Sequence, residues 1–469
     1  MVAHRTDPPA LGSVPRTLVV SVWLAVALGP LNSSMIAVAL VSLQRDFGVS
    51  LAAVTPLISS FYVGSVVAYA MMGRLADLVG PRRVFCVGLA IVGLVGLVAP
   101  LAPSLGWLTA ARVALALGTA AAFPAGLALI RRAADPSGPP PSGALGGVMI
   151  SAAVTTALGP ALGGILVQML GWQAIFLVNV PCVAVGLALA LRGIAADDVA
   201  GVPAALLRGI DWAGITCFAV ALTALLLFIV RLGDSTVWEA LIVALCAGAL
   251  LVVRERRAST PFIDMAVIGD GPLAAVFAQY AAVNVVFYAT FFAVPQWLEQ
   301  VRGYGPGEVG LVMLSLAGMG VLVTPVASRV TSRRGPRPIL LLGGCTLLAG
   351  TSLLLVLDSQ SSLAVLLAVL VVLGIPNGCN NIGLQALLYE RSTDRHQGAA
   401  AGFFMTSRYT AAVLSTAVMG AVLGHQATTE GLHTLALLAA PVALAVLLAG
   451  VRTRPAKLAH HPTDAPTPG

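Results

Sequence analysis

Gly73-Arg74-Leu75-Ala76-Asp77-Leu78-Val79-Gly80-Pro81-Arg82-Arg83, residues 73–83, is a short basic turn wedged between two long apolar stretches. Gly73 and Gly80 permit a tight reversal of the chain. Arg82 and Arg83 are expected to hold the turn in water. Asp77, the one acid, can sit against the positive end of a neighbouring helix. A basic turn joining two membrane helices belongs on the side of the bilayer where Lys and Arg collect.

Composition points the same way. The chain is 58% hydrophobic and only 10% charged, with mean hydropathy +0.95, against about 25% charged residues in a soluble domain. A crossing helix needs about 20 apolar residues. Fourteen stretches qualify: 17–41, 51–72, 84–102, 107–130, 144–168, 172–191, 211–230, 237–253, 271–296, 307–328, 339–357, 362–388, 398–422 and 432–451. The first has many successors and no small-residue cleavage site, so it reads as a span and not as a removed signal. With the N-terminus inside, 21 of the 26 Lys and Arg fall in inner loops or tails. Arg45, Arg231 and Arg302 fall outside, and Arg112 and Arg408 lie within spans. That asymmetry predicts a multi-pass protein of a cell inner (plasma) membrane with both termini cytoplasmic. The net charge of +7 then reports topology, and no nucleic-acid partner is implied. The six cysteines show no paired or metal-ligand spacing, so neither a disulfide framework nor a metal site is expected.

The 73–83 turn resembles the loop signature of the major facilitator superfamily, G-x-L-A-D-R-x-G-R-K. In that reading Asp77 docks against the inner end of span 13, near Gly398–Gly402. The turn has a second copy: Gly80-Pro81-Arg82 returns as Gly335-Pro336-Arg337, and Arg74 as Arg329, whereas Asp77 is matched by Ser332. The two copies lie eight spans apart, where a plain two-bundle transporter would give six. The resemblance implies parallel six-helix repeats around a midplane cavity, so two extra helices sit between them. The expected architecture is all-α and integral to the membrane: a major facilitator fold of two six-helix bundles plus two inserted helices. Residues 1–16 are a cytoplasmic tail and 17–192 the first bundle. Residues 193–264 are a linker carrying inserted helices 7 and 8, 265–452 the second bundle, and 453–469 a disordered tail.

Span 5 carries Gly159-Pro160-Ala161-Leu162-Gly163-Gly164, which resembles the G-P-x-x-G-G element of antiporters in this superfamily. Small residues one turn apart let another helix approach closely, and Pro160 removes a backbone hydrogen bond. Gly159, Pro160, Gly163 and Gly164 therefore mark a seam where bundles rock, a gating role shared with the 73–83 turn. Then Gly171-Trp172-Gln173-Ala174-Ile175-Phe176-Leu177-Val178-Asn179-Val180-Pro181 resembles G-W-R-W-I-F-x-I-N-x-P in the fourteen-span drug:proton antiporter family. Arg112 opens a weaker fourth-span match, and Arg408 lies where that family often shows N-x-x-R-Q.

One departure matters. Leu31-Asn32-Ser33-Ser34-Met35-Ile36-Ala37-Val38-Ala39-Leu40 resembles L-D-x-T-I-V-N-V-A-L-P, with Asn32 in place of the acid. None of the 19 acids falls deep in a span; Glu299 and six others lie at span ends. Buried carboxylates are the usual proton relays of such pumps, so proton coupling is left open and no cofactor is expected. A uniporter, a titrating substrate or a carboxylate at a helix end are the alternatives.

Polar and aromatic residues inside spans are the candidate substrate contacts: Asn32, Met35, Tyr62, Arg112, Tyr280, Asn284, Phe287, Tyr288, Phe291, Asn377, Asn380, Asn381, Phe403 and Arg408. Spacings of three and four put Tyr280, Asn284, Phe287, Tyr288 and Phe291 on one helical face. An aromatic face with few polar anchors suits an amphiphilic organic molecule better than a sugar. The expected protein is a monomeric exporter of such compounds, surrounded by lipid. An importer or uniporter of a small organic solute and a non-transporting membrane sensor are its rivals. No nucleophile–base pair, metal cluster or phosphate loop suggests an enzyme.

Overall fold

The computed structural model describes residues 14–134, 142–194, 212–230, 237–257, 269–392, 397–424 and 426–453, and among these no strand occurs. The expected disorder beyond Thr453 and residues 195–211, 231–236 and 258–264 of the linker lie outside them. In hydrocarbon every backbone N–H and C=O must be satisfied internally, which leaves helices as the local solution. A helix stands at each stretch read as a span. We number them α1 (Arg16–Met35), α2 (Pro56–Val79), α3 (Pro81–Val98), α4 (Leu105–Ala133), α5 (Ser142–Leu170), α6 (Asn179–Gly193), α7 (Trp212–Val230), α8 (Trp238–Glu255), α9 (Gly271–Gln300), α10 (Pro306–Arg334), α11 (Arg337–Leu353), α12 (Leu363–Arg391), α13 (Gln397–Leu423) and α14 (Thr429–Arg452). Among the described residues, eleven stretches are long and apolar enough to cross a membrane; in α7 the described apolar run is Trp212–Leu225, and α8 and α13 are not among the eleven. For α13 the cause is visible in Thr406-Ser407-Arg408-Tyr409-Thr410 at mid-helix.

Large apolar side chains such as Leu94, Leu97, Met169, Ile242, Leu245 and Leu437 are exposed. On a soluble protein they would form an aggregating patch; here they are the lipid face. The helices that open the two repeats, α1 and α9, are buried over most of their length. The first bundle meets the second along two seams, α5 against α10 and α2 against α13. Helices α7 and α8 pack on each other, and α7 leans on the α2–α13 seam.

The repeat read from Gly80 and Gly335 is repeated in the backbone. Gly80 ends α2 with φ +103°, Gly335 ends α10 with φ +76°, and proline follows each. Left-handed backbone of this kind favours glycine, which has no Cβ to clash. The arginines of both copies are used alike: Arg82 donates to Leu191 O and Arg337 to Val451 O, each at 3.4 Å. Each turn is thus tied to the last helix of its own bundle. This corrects one expectation, because Arg82 is half-buried against α6 and only Arg83 stands exposed. The side chains of Gly73, Arg74 and Asp77, and the proposed docking point around Gly398, lie outside the described residues.

Candidate functional site

Two clusters collect six of the fourteen candidate residues, one inside the first bundle and one between the bundles. The first joins three motifs. Asn32 Nδ2 donates to Asn179 Oδ1 at 2.6 Å, and Asn179 Nδ2 returns a bond to Asn32 Oδ1 at 2.9 Å. Arg112 donates from Nε to Leu57 O at 2.9 Å and from Nη1 to Asn32 O at 3.1 Å. Its guanidinium also lies 4.4 Å from the centroid of the Phe61 ring. Arg112 is 1% exposed and Asn32 3%. A buried arginine needs acceptors, and backbone carbonyls supply them here. Asn32 and Arg112, expected to face substrate, are instead struts holding α1, α2, α4 and α6 together. Met35 is also sealed in, with its Cα 3.0 Å from where a Cβ on Gly163 would stand.

The second cluster spans the α2–α13 seam and α9. The Tyr62 ring lies 5.5 Å from Tyr288, 6.3 Å from Phe292 and 5.9 Å from Tyr409. Tyr409 stacks on Tyr69 at 5.5 Å. Arg408 donates from Nε to Tyr288 OH at 3.1 Å, and its guanidinium carbon lies 5.9 Å from the centroid of the Tyr288 ring. Arg408 is half-buried, and among the described residues no carboxylate pairs with it. Aromatic groups from both bundles therefore surround one cation that keeps spare donors. Such a surface can hold the flat part of an organic molecule and anchor an acceptor on it.

The remaining candidates separate. Tyr280 stacks on Phe404 at 3.6 Å and donates to Asn381 Oδ1 at 2.6 Å, which links α9, α12 and α13. Asn284 donates back to Tyr280 O, and Phe403 packs edge-on to Phe277. Phe287 and Phe291 stack on each other in the core. Asn377 packs against Gly320, and Asn380 is buried with its Nδ2 on Pro376 O. The single aromatic face expected on α9 does not line one cavity, because α9 is buried over most of its length and its aromatics serve different neighbours. Tyr69 escaped the sequence reading although it lies two turns beyond Tyr62, a spacing that puts both on one face.

The span-5 glycines also divide. A Cβ on Gly159 would meet Ser34, and one on Gly163 would meet Met35, both on α1. Only Gly164 reaches the other bundle: a Cβ there would strike Pro306 O, while one on Gly310 would strike Pro160 O. The contact with the other bundle is thus Pro160 and Gly164 against α10, whereas Gly159 and Gly163 pack inside the first bundle. The span-6 motif has its own anchor. Gly171 turns with φ +80°, and Trp172 Nε1 donates to Asp46 Oδ2 at 2.6 Å.

Known proteins share this pattern. The sequence matches the Major Facilitator Superfamily over residues 22–416 and, in a second match, 276–468. It is 33% identical to the uncharacterized MFS-type transporter YwoD of Bacillus subtilis (strain 168), covering 91% of this chain and 94% of that one. It is 29% identical to the tetracenomycin C resistance and export protein of Streptomyces glaucescens, covering 90% and 78% respectively. A crystal structure of a D-xylose–proton symporter superposes with TM-score 0.66 at 12% identity, over 93% of this chain and 97% of that one. A multi-pass helical membrane protein with paired turns, two bundles and these relatives has one family: the chain belongs to the Major Facilitator Superfamily.

Proposed function

We propose that the chain is a secondary transporter that exports small amphiphilic organic compounds across the cytoplasmic membrane by alternating access. It does so as a monomer in lipid, crosses fourteen times, and keeps both termini in the cytoplasm; it is not an enzyme. The domain boundaries are those read from the sequence, with α7 and α8 as the insert. The observation that carries the reading is Arg408, half-buried between the bundles with a phenol as its bonded partner and aromatic rings from both sides around it. A permanent cation would meet like charge there, so neutral, zwitterionic and anionic aromatic compounds are the preferred cargo. The Streptomyces relative is named for resistance and export, which supports the direction. Tyr62, Tyr69, Tyr280, Tyr288, Phe292, Tyr409 and Arg408 form the binding surface. Gly80, Pro160, Gly164 and Gly310 act in the moving parts, together with Asp77 in the inner turn.

The test is transport in reconstituted vesicles with a panel of aromatic anions, zwitterions, neutral compounds and quaternary cations, with and without a pH gradient. Export of aromatic anions or neutral compounds ahead of dications is expected. Transport restricted to permanent cations would overturn the cargo assignment, and net uptake under every gradient would overturn the direction.

A further inference from the structure

The last turn and a half of α9, Pro295–Gln300, is almost wholly buried at the end of the molecule opposite the 73–83 turn. It ties the bundles together. Gln296 Nε2 donates to Ala37 O at 3.0 Å, and Gln300 Nε2 donates to Gln44 Oε1 at 3.0 Å. Beside them Gly307 N donates to Gln168 Oε1 at 3.0 Å. Three second-bundle groups thus bond three first-bundle groups; all six are amide side chains or backbone, and the first-bundle three lie just beyond α1, on α5 and on the short helix Leu40–Phe47. Inside this seal sits Glu299, 5% exposed, with Oε1 bonded to nothing.

Among the described residues, the other ionisable groups at this end are exposed or bonded elsewhere. Arg45 is the cation facing Glu299, but its side chain is solvent-exposed. Asp46 accepts from Trp172. Arg302 donates to Asp358 O, Ser361 O and Tyr304 OH. Glu308 caps Gly305 N, His433 contacts Leu357 O, and Asp358 holds Ser361 and Gln360 N. Glu430 is exposed. An ionised carboxylate left in this seal would have a bare oxygen out of water, a costly arrangement. A protonated one is neutral and brings an O–H donor. One turn earlier on the same helix, Gln296 Oε1 is a buried acceptor with no donor, and residues three apart on a helix are neighbours.

We propose that Glu299 is a proton-binding site built into the seal: the carboxylate takes one proton from the adjoining water as the bundles close at this end, and returns it when they part. A carboxyl O–H bond forms as an O–H bond of a hydronium ion in that water breaks, both charges are neutralised, and no oxidation state changes. The inference rests on the reading of the bundles as moving parts. It supplies the titrating carboxylate that the span interiors lack.

The seal can be read without any substrate. Spin labels on Pro103→Cys and Gln360→Cys, exposed loop positions of the two bundles at this end, report the inter-bundle distance in lipid vesicles once the six native cysteines are replaced. The short distance should dominate at about pH 5.5 and give way to a longer one by about pH 8.5, across the carboxylate-to-histidine range that burial can reach. Glu299→Gln, neutral at every pH, should keep the short distance throughout, with an unchanged unfolding temperature showing that it folds. His425→Gln, at a position outside the described residues, should leave the transition in place. The same pH transition surviving in Glu299→Gln, its loss in His425→Gln, or no transition in the parent would each overturn the proposal. In transport, Glu299→Gln should lose gradient-driven accumulation by about tenfold while downhill exchange persists. A chain that switches with pH but moves no organic compound would refute the export reading and leave the proton site standing.

Discussion

Arg112 and Arg408 are both arginines in the middle of long helices, and they are held in opposite ways. Arg112 spends Nε and Nη1 on carbonyls of two neighbouring helices of its own bundle and rests against Phe61. Arg408 spends Nε on a phenol, Tyr288, and keeps part of its surface open between the bundles. A carbonyl cannot leave with a substrate; a phenol can give way to one. The first arrangement therefore serves stability, and the second leaves Arg408 available for the recognition proposed above.

Removing Arg112 tests this most severely. Arg112→Leu strips a fully buried cation from Leu57 O and Asn32 O, and both carbonyls lose their donor. We expect a loss of about 3–5 kcal/mol, the usual scale for breaking a buried charged contact, seen as a large drop in unfolding temperature in detergent. Arg408→Leu should unfold close to the parent. Equal destabilisation by the two changes would erase the distinction.

The glycines of α5 sharpen it next. Gly159→Leu overpacks a contact with α1 inside one bundle, while Gly164→Leu places a side chain against Pro306 O of the other. Overpacking of this kind costs about 1–3 kcal/mol. The first should lower folded yield and unfolding temperature. The second should reduce transport rate per folded molecule more than stability, because that contact must slide. Purified yield and transport per folded protein, measured side by side, decide it; a Gly164→Leu chain with normal turnover would remove α5–α10 from the moving seams.

Arg408→Ala comes third. Fold and membrane insertion should be retained, and transport of aromatic anions should fall by about tenfold, near 1.4 kcal/mol of recognition, with neutral compounds less affected. A uniform loss across all cargo would mean that Arg408 holds the bundles and not the substrate.

Much of this was legible in the chain because membrane helices write themselves in hydropathy. Gly80 and Gly335 announced the repeat since a helix reversal needs positive φ, and the structure places both in it. Long-range pairing was not legible. Nothing local says that Asn32 faces Asn179, 147 positions away, although each lay in a motif read separately. The seal at Gln44, Gln168, Gln296 and Gln300 was missed for a related reason. Amides near span ends look like ordinary interfacial residues until another bundle is seen to cover them, and Glu299 passed as a helix-end acid for the same reason.

The smallest expected effect falls on Asn32, where relatives of the drug:proton type carry an acid. From sequence, Asn32→Asp is expected to attract cationic cargo. The geometry argues otherwise. Asn32 is 3% exposed and its backbone carbonyl already accepts from Arg112 Nη1, while Arg112 Nη2 has no partner. A carboxylate here would be neutralised by Arg112 before any substrate met it, and Asn179 Nδ2 could still donate to it. The lost donation to Asn179 Oδ1 offsets part of that gain, and buried ion pairs come out near break-even. Asn32→Asp should therefore unfold within about 1 kcal/mol of the parent, with its cargo preference unchanged. Asn32→Leu, which strands Asn179 Oδ1 while Asn179 Nδ2 keeps Phe176 O at 3.0 Å, should cost about 1–3 kcal/mol. Thermal unfolding of the two variants beside a dication transport assay settles it: new dication export by Asn32→Asp would mean that the node opens to the cavity after all, and the contrast with Arg408 would fail.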